Sequence, residues 1–255
     1  MDLNSLTSKK HKHEWTEQNN YLICNTCRKK KLKLIKENNS DILLGTKSDG
    51  TIYKVRSNRD RIFNPEEWEL FYNNLTEEQM FTFKFLLITG ARINEANHVK
   101  VEDIDIPNQR IVLRVTKQRH GDNVINKSKT RTIRVSKDLI KDIKRVIENN
   151  KLSKEDYLGI LSQPACHIAM KGDKKSNRIG ALEKAKIKDW EMLSVHNVRK
   201  TSENWALATG VDSMKLSTRF GHNMTTQYEH YSQSDAFTLK EKVYIKDFFG
   251  DTFID

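Results

Sequence analysis

From Phe63 onward, apolar residues recur at helical spacing, give way briefly to alternation, and then return to helical spacing. Asn64-Pro65-Glu66-Glu67 opens the first predicted helix, with proline in the first turn and acids at the positive end of the dipole. Thr76-Glu77-Glu78-Gln79 is a capping box. It starts an apolar helix through Phe81, Phe83, Phe85, Leu86 and Leu87, with Phe85 to Ile88 as candidate core. Over Arg110–Lys117 apolar and charged residues alternate, which predicts a half-exposed strand. Arg131–Ser136 is its predicted partner, and the polar tip Gln118–Thr130 turns at Gly121-Asp122-Asn123. Helical spacing resumes over 137–149 at Leu139, Ile140, Ile143, Val146 and Ile147. Ser153-Lys154-Glu155-Asp156 predicts the cap of a further helix, and 176–190, rich in lysine and alanine, another. Pro164–Asp173 reads as irregular, with Cys166 partly buried in it. Leu193–Ser232 reads as three short helices: Gly210 breaks the pattern, Asp212 caps the second helix and Gly221-His222 ends it. A terminal helix over 236–249 carries Phe237, Leu239, Val243, Ile245, Phe248 and Phe249, and is expected to dock on something. The predicted class is mainly α with a small antiparallel three-stranded sheet.

The first 62 residues differ: they are basic and short of apolar periodicity, so the expected organisation is a module over 1–62 and a main domain over 63–255. Residues 37–62 read as a hairpin or linker, with Lys47-Ser48-Asp49-Gly50 turning between two short apolar strands. Ahead of them, His11, His13, Cys24 and Cys27 supply four ligands suited to a tetrahedral zinc knuckle. Zinc would give this segment the folding energy that its few apolar residues lack. An unstructured basic arm is the alternative, followed by a redox or unused thiol pair. The run Arg28-Lys29-Lys30-Lys31 fits a module that lies along phosphates.

Composition narrows the partners. The 255 residues are 36% hydrophobic and carry 45 Lys+Arg against 34 Asp+Glu, a net charge of +11. That excess favours a polyanion, nucleic acid ahead of a membrane surface, over mere solubilisation. No apolar run approaches the ~18 residues of a membrane span. The polar start lacks the apolar centre of a signal peptide, so an intracellular, cytoplasmic location is expected, without a membrane partner. Three cysteines are too few for a disulfide framework.

The candidate chemistry lies in two stretches. His196 and Arg199, three apart on a predicted helix, share a face and can reach one target together. Tyr231 follows His222 by nine residues, with Tyr228 three before it. Far upstream stands Thr89-Gly90-Ala91-Arg92-Ile93-Asn94-Glu95. Cleaving a phosphodiester without a metal needs cations on the non-bridging oxygens and a nucleophile in line with the leaving sugar oxygen. Arginine suits the first task because its guanidinium is planar, always charged and binds two oxygens at once. Imidazoles can donate to the same oxygens or accept the nucleophile's proton. A tyrosine hydroxyl can attack and store the bond energy as a phosphotyrosine.

The ordered set T-G-x-R-x-x-E, H-x-x-R, G-H and a late tyrosine resembles the signature of the tyrosine recombinases, the phage-type integrases, over roughly Phe63 to Ser234. The resemblance implies a mainly helical catalytic domain whose three-stranded sheet carries a lysine. It implies single-strand cuts that leave a 3′-phosphotyrosine and a free 5′-hydroxyl. It assigns Arg92 as the first arginine, His196 and Arg199 as the H-x-x-R box, His222 as the second histidine and Tyr231 as the nucleophile, with Tyr228 the minor alternative. Glu95 becomes an acid that orients Arg92. Lys117 is the favoured lysine, ahead of Lys129, with Lys127 also within the long hairpin; such a lysine protonates the departing 5′ oxygen. No cofactor is implied for catalysis. The implied partner is double-stranded DNA carrying a recombination site, bound by a homotetramer that is monomeric or weakly associated when free. The tail beyond Tyr231 would dock on a neighbouring subunit. Many members also carry a helical domain that clamps the DNA from its other face, and the stretch before Phe63 is too short for one. A type IB-like topoisomerase and a non-catalytic DNA-binding regulator are the alternative readings.

Overall fold

The structure is a computed structural model that describes residues 14–18, 21–26, 30–32, 35–36, 43–46, 52–55, 61–115, 129–173, 175–221 and 237–253. The chain forms two compact units, Met1–Ser57 and Asn58–Asp255. His11, His13, Cys27, Lys117, Lys127, His222, Tyr228 and Tyr231 lie outside the described residues, and Cys24 and Lys129 are described in their backbone alone.

The first unit holds two three-stranded antiparallel sheets. One joins β1 (Trp15–Gln18), β2 (Tyr21–Cys24) and β3 (Lys30–Leu32), with Trp15 opposite Cys24. The other joins β4 (Ile35–Lys36), β5 (Leu43–Thr46) and β6 (Ile52–Val55). Thr46 pairs with Ile52, so β5 and β6 are the strands expected to flank the turn at 47–50. Strands of two to four residues are too short for alternation to register, which is why the first sheet was not foreseen.

The second unit is mainly helical with one small sheet. Helix α1 (Pro65–Tyr72) starts at Asn64, whose side chain accepts from the Glu67 N–H at 2.7 Å while Glu67 accepts from the Asn64 N–H at 3.1 Å. Helix α2 (Glu77–Thr89) has the same reciprocal cap between Thr76 and Gln79. Its buried residues run almost continuously from Phe81 to Thr89, because α2 is covered on more than one side. The short α3 (Ile93–Ala96) leads into the sheet, β7 (Ile104–Asp105), β8 (Arg110–Val115) and β9 (Lys129–Arg134), antiparallel in that order. Ile111 faces Ile133 and Leu113 faces Arg131 across the ladder. Helix α4 (Lys137–Asn149) follows, capped by Ser136 and burying Leu139, Ile140 and Ile143. Lys84 of α2 binds both Asp138 and Asp142 of α4, tying the two helices together.

Three expectations need correcting here. Ser153–Asp156 forms a turn rather than a helix cap, since Asp156 takes both the N–H and the hydroxyl of Ser153 at 2.7 Å. The stretch read as irregular is helix α5 (Gln163–Lys171), started by Ser162 with a proline in the first turn. Cys166 on it is fully buried, and burial pushes its thiol up to about 12. The helix expected over 176–190 breaks into a two-stranded ribbon, β10 (Gly172–Asp173) with β11 (Arg178–Ile179), then the short α6 (Ala181–Lys184) and a 3₁₀ turn. Lys186 and Asp189 there adopt φ of 52° and 55°, which interrupts helical continuation.

Helix α7 (Val195–Ala208) is buried along most of its length although its sequence is polar. Its Asn197, Thr201 and Trp205, each four apart, stitch the start of the unit in place. Asn197 donates to the Arg61 carbonyl at 2.6 Å, the Phe63 N–H donates to Thr201 Oγ1 at 2.9 Å, and Trp205 Nε1 donates to the Phe63 carbonyl at 3.0 Å. Helix α8 (Ser213–Phe220) is capped by Asp212, which accepts from Met214 and Lys215, and closed by Gly221 at φ 66°. The terminal helix α9 (Leu239–Phe249) docks on α1 and α7 of its own unit. Phe248 and Phe249 meet Trp205 edge to face at 5.9 and 6.4 Å between ring centroids. Leu239 and Val243, expected in that contact, are exposed.

Candidate active site

The site is assembled where the end of α2, the start of α7 and the end of α8 meet. Thr89 closes α2, donating its hydroxyl to the Phe85 carbonyl at 2.7 Å and accepting the Ala91 N–H at 3.1 Å. Gly90 then turns the chain at φ 60°. A Cβ at this position would lie 2.4 Å from the Phe220 ring, so both the backbone angle and the packing require glycine. The turn delivers Arg92 to the N-cap of α3.

Glu95 holds Arg92 from behind. The carboxylate accepts the Arg92 N–H at 3.0 Å and its Nη1 at 2.8 Å. Its Oε2 also accepts Nη2 of Arg131, from β9, at 2.6 Å. Glu95 is only 2% exposed, whereas the Arg92 side chain is 38% exposed and faces a recess. Burial alone would raise the Glu95 carboxyl, but the hydrogen bonds and charges of Arg131 and Arg92 outweigh it and hold the group at about 2.

Arg199 comes from the first turns of α7 and is 3% exposed. Its Nη1 donates to the Gly90 carbonyl at 2.5 Å, its Nη2 donates to the Phe220 carbonyl, and its guanidinium lies 5.0 Å from the centre of the Phe220 ring. One side chain therefore ties the Thr-Gly-Ala-Arg turn to the end of α8.

Arg92, His196 and Arg199 line one recess of about 250 Å³, together with Glu95, Gln163 and the α3 backbone. His196 stands on its open side, yet loss of solvation against the wall, then Arg199, Lys200 and Arg92 in that order, hold its imidazole down to about 4. Three neighbouring cations make that direction physically secure. The ring is thus neutral near pH 7, able to donate one hydrogen bond and to accept a proton.

The structure brings Arg92, Glu95, His196 and Arg199 together. His222, Tyr231 and the alternative Tyr228 lie outside the described residues, as do Lys117 and Lys127. Lys129 begins β9 opposite Val115, two residues before Arg131. Two residues of the site were not foreseen. Gln163 is the first residue of α5 and stands just ahead of Pro164–Asp173, the stretch expected to be irregular, so no helix start pointed to it. Arg131 had a signal in the pattern: alternation puts it in phase with Ile133 and Val135, on the face that is buried. A charge on the apolar face of a strand needs a partner.

Among the described residues no group of three or more His, Cys, Asp and Glu side chains is arranged to hold a metal, and three of the four expected zinc ligands lie outside them. Among the same residues no helix is long and apolar enough to cross a membrane.

Comparison with known proteins agrees with this architecture. Among solved structures, XerA recombinase is similar with a TM-score of 0.52 and 14% identity, over 73% of this chain and 64% of that one. The Tn1549 transposon integrase (residues 82–397, Y379F), in complex with transposon right end DNA, is similar with a TM-score of 0.52 and 18% identity, over 78% of this chain and 69% of that one. These likenesses define the class: a mainly helical fold with a small antiparallel sheet, as in tyrosine recombinases. The family model described as "Phage integrase family" matches residues 61–236, and the chain belongs to that family. No curated protein sequence matches it. The chain spans somewhat less than two thirds of XerA, the part of that protein it resembles.

Proposed function

We propose that this protein is a site-specific DNA recombinase or integrase that cuts and rejoins strands through a phosphotyrosine. The observation that carries this reading is the one recess lined by Arg92 and, more than a hundred positions further along the sequence, by His196 and Arg199. Two guanidinium groups on one small recess suit the two negatively charged non-bridging oxygens around the five-coordinate phosphorus of a strand-exchange transition state. Membership of the phage integrase family and the solved complex of the Tn1549 integrase with DNA support the substrate class.

In this mechanism Tyr231 Oη attacks the phosphorus and the P–O5′ bond breaks, giving a 3′-phosphotyrosine and a free 5′-hydroxyl. The phenol proton passes to the imidazole of His196, which lines the recess beside Arg92 and Arg199 and is neutral near pH 7, so that one ring nitrogen is available to accept it. The departing O5′ takes a proton from a lysine, Lys117 in preference to Lys129 or Lys127. Arg92, Arg199 and His222 hold the non-bridging oxygens. The reverse attack by a different 5′-hydroxyl reseals the strand without a nucleotide cofactor, since the phosphotyrosine conserves the bond. Double-stranded DNA is the partner, and a homotetramer assembled on it couples the cuts. The first unit supports the same partner with its basic run, and His11, His13, Cys24 and Cys27 would give it a structural zinc.

The test is covalent trapping on nicked duplexes, recovered from a randomised pool by the wild-type protein. Tyr231→Phe is expected to bind the recovered DNA and form no adduct. Undiminished trapping by that variant removes the assignment. Supercoil relaxation without site preference or junction intermediates would instead favour a topoisomerase.

A further inference from the structure

Arg131 is a cation the scheme above does not use, and its surroundings are unusual. It occupies the inward phase of β9, opposite Leu113, and its side chain is 11% exposed. Nη2 binds Glu95 Oε2 at 2.6 Å, whereas Nε and Nη1 are buried with no hydrogen-bond partner among the described residues. The guanidinium also stands against the end of α8: a Cβ on Gly221 would lie 3.5 Å from Nη1. A second, part-buried cation, Arg219, is near enough for Arg131 to disfavour its charge. An arginine so placed, beside another cation and with donors unused, is costly unless its one anion matters.

Resting on the recombinase reading, we propose that Arg131 is a positioning residue that anchors Glu95 and, through it, fixes the guanidinium of Arg92 at the recess. The reason lies in the burial of Glu95. An ion pair with the part-exposed Arg92 alone would hold that carboxylate weakly. Arg131 approaches from the opposite, buried side and takes Oε2, which leaves Oε1 directed at Arg92 Nη1. Arg92 is then held at its backbone N–H and at one guanidinium nitrogen by the same carboxylate. Two arginines about one carboxylate also leave the cluster with a net positive charge, so anchoring Arg92 does not neutralise what it offers to a phosphate.

The experiment measures single-turnover adduct formation and DNA affinity separately, on a nicked duplex selected from a randomised pool with wild-type protein. Arg131→Met is expected to slow adduct formation by about 10- to 100-fold, the scale of an ångström-sized misplacement, with affinity within about threefold. Arg131→Lys, which keeps one donor to Oε2, should recover most of the rate. Adding Arg131→Met to Glu95→Gln should cost little further, because both act on one element. If Arg131→Met alone does not fold, that double variant, in which no ionised carboxylate is stranded, carries the comparison. Wild-type cleavage by Arg131→Met, or losses that multiply in the double variant, would overturn the positioning role. Absence of any adduct from the wild-type protein, or an adduct that survives Tyr231→Phe, refutes the recombinase reading itself, a result distinguishable from either.

Discussion

Replacing Glu95 with glutamine isolates the charge at the heart of the site with almost no change in shape. The carboxyl is held at about 2 against an ordinary value of 4.5. That gap corresponds to ~3 kcal/mol favouring the ionised form in the folded protein. Because the folded value lies below the unfolded one, the unfolded chain takes up the proton first on acidification. The stabilisation is therefore complete above about pH 4.5 and drains away as pH falls towards 2; at pH 3 about 2 kcal/mol of it is gone. Glu95→Gln never has it, and it strands Arg131 without its anion, so a loss of about 3–5 kcal/mol is expected at pH 7. Urea unfolding of both proteins at several pH values from 3 to 7 measures this directly, since other carboxylates cancel in the difference. The stability gap should narrow by about 2 kcal/mol between pH 7 and pH 3. A gap that stays constant over this range, or one below about 1 kcal/mol at neutral pH, would falsify the assignment of Glu95 as a buried, doubly held carboxylate.

Gly90→Ala should lower stability by about 2–5 kcal/mol, from the left-handed backbone and the clash with Phe220; a denaturation midpoint within error of wild type would mean that neither constraint is real. His196 should titrate far below 6.5 in the free protein, near 4, and Arg92→Met should raise that value by removing one of the cations; an NMR titration with an ordinary midpoint contradicts the picture of a neutral imidazole facing the recess. For the first unit, elemental analysis of the pure protein should find one zinc per chain, lost on Cys24→Ala, and a metal-free wild type dismisses the knuckle.

How much of this was readable in the sequence depends on where the information is local. The caps of α1 and α2 were legible because Asn64/Glu67 and Thr76/Gln79 satisfy backbone donors within four residues. Alternation located β8, but β9 starts two residues earlier than expected, since Lys129 and Thr130 carry no apolar signal. Helix α5 was missed because Pro164 near its start resembles a breaker until Ser162 is recognised as the cap. Spacing singled out Arg92, His196 and Arg199, which share the recess, yet the site also uses partners that no spacing reveals. Arg131 reaches Glu95 only because the sheet folds back over α3. The burial of α7 is the clearest gap. Its run of polar residues reads as a solvated face, but Asn197 and Thr201 are satisfied by the backbone of Arg61 and Phe63, more than 130 residues away.

On the recombinase reading, the double grip of Arg199 on the Gly90 and Phe220 carbonyls means that this cation is oriented before DNA arrives. A flexible cation would have to abandon a swarm of rotamers and its water shell each time a scissile linkage arrived. Here the orienting work is done once, during folding, and is drawn from the stability of the domain rather than from the affinity for DNA. Extra surface lysines would strengthen the hold on DNA without altering this arrangement, because the direction of Arg199 depends on the Gly90 turn, the start of α7 and the end of α8.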